Sequence, residues 1–115
     1  MNIQQLLEQI KLRPAMYIGF FKLEPMFHFL NGFMFYKSIS NNDDYVDTAF
    51  RNQFHNWVKT RLEKKYKIEL DNNMNYLTYI NEVTQDDEQK LYIFFELCQT
   101  FFLSYIVRNR RDVKK

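Results

Sequence analysis

The sequence predicts an all-α fold, a compact bundle of four or five helices around an aromatic-rich core. Three observations predict it. Apolar residues recur at spacings of three and four in successive segments, which is the period of one helix face. The 115 residues include only 2 Gly and 2 Pro, too few for a turn-rich fold or for Gly-rich phosphate loops. Aromatic residues make up 18% of the chain (12 Phe, 8 Tyr and 1 Trp), and each can bury a large area. That surplus suits a core, and it suits an interface equally well. A chain of this length can hold one core but not two. With no internal repeat and no dividing linker, residues 1–110 read as one helical domain and residues 111–115 as a frayed basic tail.

The elements follow in order. Asn2 to Lys11 is a short helix, with Ile3, Leu6, Leu7 and Ile10 on one stripe and Asn2 as its cap. It ends near Leu12 or Arg13, because the residue before Pro14 is pushed out of the α region. Arg13 to Gly19, RPAMYIG, is a connector whose Met16, Tyr17 and Ile18 are apolar enough to tuck under the helices. Leu23 to Ser40 is the second helix, with a wide apolar face of Phe27, Leu30, Met34, Phe35 and Ile39. Gly32 in its middle either lets another helix approach or simply lowers local propensity. After a polar connector in which Asp43 and Asp44 are candidate caps, a third helix runs from Tyr45 to Lys67. Its stripe is Val46, Phe50, Phe54, Trp57, Val58 and Leu62, and Glu63 and Lys67 are spaced to form an i,i+4 pair. Residues 76–83 alternate like a strand at Tyr76, Thr78 and Ile80, yet Tyr76, Leu77 and Ile80 also share a helical face. With no strand partner elsewhere, the helix is preferred. A capping signal from Thr84 to Asp87 opens the last helix, which reaches about Arg110 and carries Leu91, Phe94, Phe95, Cys98, Phe101, Phe102, Tyr105 and Ile106. This helix is expected at the centre of the bundle.

The chemistry-bearing residues are sparse. His28 and His55 lie in different helices, and one Cys with two His in no zinc-like spacing makes a poor metal set. Ser38, Ser40 and Ser104 have no nucleophile elbow around them. No enzyme activity and no cofactor are expected. Cys98 is the single cysteine, so no intramolecular disulfide forms, and its aromatic neighbours in sequence suggest a buried thiol. The net charge of +2 does not call for nucleic acid. The basic residues between Lys59 and Lys67 and near the carboxyl end read first as solvated helix ends. No targeting signal or membrane span is evident, which favours the cytoplasm and excludes a membrane partner.

The segment LLEQIKLRPAMYIG, Leu6 to Gly19, resembles the opening of the ATPase domain of type II topoisomerase B subunits. The next helix, FLNGFMFYKSI, offers Asn31 without an accompanying carboxylate. The Asp-x-Gly-x-Gly nucleotide motif is absent and the chain is too short for that fold, so the ATPase is rejected. The chain is more similar to small all-helical bacterial proteins with an RPxMYxG motif, many of which resemble immunity proteins of polymorphic or contact-dependent toxin systems. Arg13, Pro14, Met16, Tyr17 and Gly19 carry the motif. Phe29, Leu30 and Gly32, then Phe54, Trp57 and Val58, then Phe94, Phe95, Leu97, Phe101 and Phe102 extend the match. Ala15 departs from it, standing where glycine is common. The resemblance implies an immunity protein that neutralises a cognate toxin domain from a neighbouring gene by direct binding. A protein-interaction or structural domain, for which a homodimer through the surplus aromatics is one form, is the alternative, with a nucleic-acid module behind it. The motif residues and Trp57 read as structural first. Because the chain is near-neutral, Asp43, Asp44 and Asp47 are the candidate partner-binding patch.

Overall fold

The computed structural model describes residues 1–13 and 22–113, with side chains as far as Tyr105. The described residues form five helices: α1 (Ile3–Leu12), α2 (Leu23–Ile39), α3 (Tyr45–Tyr66), α4 (Tyr76–Val83) and α5 (Asp87–Val113). The all-α bundle and its aromatic-rich core are as the sequence predicts. Residues 76–83 are helical, with Tyr76, Tyr79 and Ile80 buried at the three-and-four spacing of a helix. The last helix continues through Val113, beyond the expected end at Arg110.

Local chemistry sets the helix ends. Asn2 caps α1 through a capping box, its side chain accepting from the Gln5 N–H while the Gln5 side chain accepts from the Asn2 N–H. Of the two candidate caps before α3, Asp44 serves: its Oδ1 accepts from the Asp47 N–H at 2.9 Å. Asn75 caps α4. The cap of α5 is Asp86 rather than Thr84, since Asp86 Oδ1 accepts from the Gln89 N–H at 3.0 Å while Thr84 Oγ1 accepts from the Asp86 N–H. At the end of α3, Lys67 takes the left-handed conformation, φ 53°. Its N–H donates to the Glu63 carbonyl, but its ammonium does not pair with the Glu63 carboxylate. Glu63 turns back to Lys59 at 3.1 Å instead, because its other contact is the Leu70 N–H at 2.9 Å in the following connector.

The centre of the bundle is shared. α3 packs against α1, α4 and α5, and α5 packs against α2, α3 and α4, so α5 is not the sole axis as expected. Rings from several helices meet between them. Phe54 lies 4.6 Å from Phe50, 5.3 Å from Tyr76 and 5.2 Å from Phe101, centroid to centroid. Tyr76 stacks on Phe94 at 5.1 Å and meets Phe27 of α2 edge-on at the same distance. Offset and edge-to-face pairs at these separations add to the area they bury. α1 contributes aliphatic residues only, burying Ile3, Leu6, Leu7 and Ile10.

α2 differs from expectation in which residues it buries. Its inward stripe is Leu23, Met26, Leu30, Met34 and Lys37. Phe35 and Ile39, expected on the core face, are 67% and 65% exposed. Phe27 and Phe33 pack half-buried beside that stripe, and the helix carries more apolar side chains than the core takes up. Lys37, a charged residue, closes the stripe from within.

Candidate interaction surfaces

The three aspartates expected to form a partner-binding patch differ in exposure: Asp44 is exposed, Asp43 is half-buried and Asp47 points into the protein itself. Asp47 is fully buried. Its Oδ1 accepts from the Ile3 N–H at 2.7 Å, and its Oδ2 lies 3.4 Å from Lys37 Nζ. Lys37 also donates to the Met1 carbonyl at 2.9 Å. Asp44 accepts from Asn2 Nδ2 at 2.9 Å as well as from the Asp47 N–H. Burial alone would raise the Asp44 pKa, but the hydrogen bonds from Asp47, Asn2 and Val46 outweigh it and hold the carboxylate below its ordinary value. Asp43 pairs with Arg51 at 2.8 Å and raises the guanidinium's already high pKa. The group therefore joins α1, α2 and α3, and Asp47 is in no position to meet a partner. Sequence reasoning missed this joint because Lys37 and Asp47 sit in different helices and neither looks like a core residue.

Of the motif residues, Pro14, Met16, Tyr17 and Gly19 lie outside the described residues. Arg13 is the C-cap of α1, its N–H donating to the Gln9 carbonyl at 3.1 Å, with the side chain exposed. Trp57 is half-buried against the core, meeting Phe101 at 5.4 Å, and Arg61 lies 5.1 Å over its ring.

The buried titratable side chains of the core serve packing. His55 Nδ1 accepts from the Tyr76 N–H at 3.1 Å and its ring stacks on Tyr76, and burial lowers its pKa below the ordinary histidine value. Accepting that bond requires a neutral ring. Cys98 is buried and its thiol pKa is pushed up by desolvation, the reverse of what a nucleophilic thiolate needs. The Tyr76 hydroxyl is buried without a hydrogen-bond partner among the described residues, and burial raises its pKa. Among the described residues no group of three or more His, Cys, Asp or Glu could hold a metal ion, and no helix is long and apolar enough to cross a membrane.

Two surfaces among the described residues offer groups a partner could use. On α2, Phe35, Tyr36 and Ile39 are 67%, 59% and 65% exposed. Gly32, one turn earlier on the same side, faces open space: a Cβ there would meet nothing within 4 Å. Elsewhere, a cleft of about 420 Å³ lies between the carboxyl-terminal half of α3 and the amino-terminal half of α5. Arg61, Lys64 and Lys65 form one wall, Glu96 stands on the other, and Leu62, Ile93 and Leu97 lie between. The sequence could have shown the basic run, but not the residues of α5 that complete the cleft.

No family model, no curated protein and no solved structure matches the chain.

Proposed function

We propose that this chain is a non-catalytic protein-interaction domain that meets its partner through the outward face of α2. The observation that carries the reading is the exposure of Phe35, Tyr36 and Ile39 within little more than one turn. Single exposed apolar residues are ordinary, but a cluster of large ones on one helix face is characteristic of interaction sites. Aromatic side chains are also the usual anchors of protein interfaces. The finer reading is a cytoplasmic immunity protein that neutralises a cognate toxin domain encoded beside it. It is supported by the resemblance at RPAMYIG and needs no catalytic group.

The experiment is co-expression with the product of the gene immediately upstream, followed by titration of the purified pair. The expected result is a stoichiometric complex of submicromolar affinity that relieves toxicity. The variant Phe35→Ser/Ile39→Ser should weaken it by about a hundredfold, as loss of central anchors does. A complex untouched by that variant moves the binding face away from α2. Self-association that the variant abolishes makes the partner a second copy. A monomer that binds neither overturns the interaction reading at this face.

A further inference from the structure

We propose that the cleft between α3 and α5 is a second, separate binding site, one that takes a short acidic segment of a partner protein with an apolar residue at its centre. The charge arrangement is the first ground. Four cationic residues line or approach the last turns of α3 from Lys59 onward, and Lys59 is neutralised by Glu63. Arg61, Lys64 and Lys65 have no carboxylate partner among the described residues, and all three stand on the wall of the cleft. Complementarity to the helix dipole accounts for positive charge near this end. It does not account for the charge facing an apolar floor with an aromatic residue on the opposite rim. That residue is Tyr92 of α5, 65% exposed and able to cover an apolar side chain seated on Ile93 and Leu97.

The second ground selects a peptide over a nucleic acid strand. A strand presents negative charge along its whole length. The α5 side of the cleft carries Glu96, and that helix begins with Asp87 and Glu88. A polyanion filling the cleft would meet Glu96, whereas a peptide can turn acidic side chains toward α3 and present a backbone N–H or hydroxyl to Glu96. The volume of about 420 Å³ is within the range of pockets that hold compact ligands. The site lies on different helices from the α2 face, so it stands or falls separately.

The test is selection of random dodecapeptides displayed on phage against the full chain. Recovered peptides are then titrated by fluorescence anisotropy against wild type, Lys64→Glu/Lys65→Glu, Tyr92→Ser and Phe35→Ser/Ile39→Ser. The substituted side chains are exposed, and circular dichroism confirms that each variant is folded. Recovered peptides are expected to carry acidic residues flanking an apolar one and to bind more weakly as salt rises. Charge reversal at the two lysines should cost at least about tenfold in affinity, Tyr92→Ser should weaken binding too, and the α2 variant should leave it unchanged. The proposal is overturned if no peptide is enriched, if acidic residues are not enriched, or if charge reversal leaves affinity unchanged. It is equally overturned if an oligodeoxythymidylate dodecamer binds the cleft more tightly than any recovered peptide, which would make it a nucleic-acid site.

Discussion

Removing the Asp47 side chain would take the acceptor from the buried Ile3 N–H and the carboxylate from the Lys37 ammonium, which would keep only the Met1 carbonyl. An uncompensated buried charge costs far more than the pair it came from was worth. Asp47→Ala is therefore expected to lose about 3 kcal/mol, measured as a fall in the urea midpoint. Asp47→Asn should lose less, because an amide oxygen still accepts from Ile3. His55 gives a prediction of another kind. Its folded pKa is lowered by burial, so the unfolded chain binds the proton first as pH falls below about 6.5. Stability should be fully present above that value and decline through the window below it, levelling off once the folded histidine also titrates. His55→Asn places an oxygen near the Nδ1 position without a titrating ring, and should flatten the stability profile between about pH 5 and 7. Asp44 and Glu63, both held below their ordinary values, act in a lower window, where stability is lost as pH falls through their folded values. Urea midpoints collected across the pH range separate the two windows. A profile equally steep in His55→Asn would assign the slope elsewhere.

At the scale of elements, Gly32 is expendable to the fold. It sits mid-helix with open space where a Cβ would go, so Gly32→Ala is expected to raise stability by about 1 kcal/mol through helix propensity alone. This also decides between the two sequence readings of Gly32: within the described residues no other helix uses the gap. α4 shows the opposite dependence. Eight residues are too few for a stable isolated helix. It is held by the Asn75 cap, by the His55 bond to Tyr76, and by Tyr79, whose hydroxyl donates to the Asp71 carbonyl and accepts from the Met74 N–H. Asn75→Ala should cost about 1 kcal/mol, read from thermal unfolding. The same elements show what was legible beforehand. Stripes flanked by polar residues, as in α1 and α3, can be read directly. α4 was ambiguous because its eight residues satisfy both periods, and burial of Tyr79 with Tyr76 and Ile80 resolves it. α2 misled because periodicity locates a stripe only where polar positions border it, and here Phe35, Tyr36 and Ile39 are apolar without being inward. The burial of Asp47 was illegible for a related reason. Local acidity is visible in sequence, but Lys37 and the Ile3 N–H, which consume it, arrive from other helices.

At the scale of the molecule, the helices differ in how they are tied together. Phe27 of α2, Phe50 and Phe54 of α3, Tyr76 of α4, and Phe94, Phe101 and Phe102 of α5 form one continuous set of ring contacts. Each of these four helices contributes a ring that packs on a ring of another, with Tyr76 joining all four, so they should unfold as a unit. α1 brings no ring to the set and is tied in by four aliphatic side chains and by the Asp47 joint. Two consequences separate these cases. Phe54→Ala, at a fully buried site, should cost about 3–5 kcal/mol and lower the transition seen by helical circular dichroism and by Trp57 fluorescence equally, because both report the ring-linked unit. Asp47→Ala should instead expose the α1 amides preferentially, raising their hydrogen exchange well above that of α3 while Trp57 still reports a folded core. If α1 and α3 amides accelerate together in Asp47→Ala, the joint belongs to the same cooperative unit as the rings. The thiol offers an independent check: Cys98 is buried and lines the cleft between α1 and α5 with Leu7 and Phe102, so its labelling rate should rise in Asp47→Ala as α1 opens and in Phe54→Ala as the whole unit does.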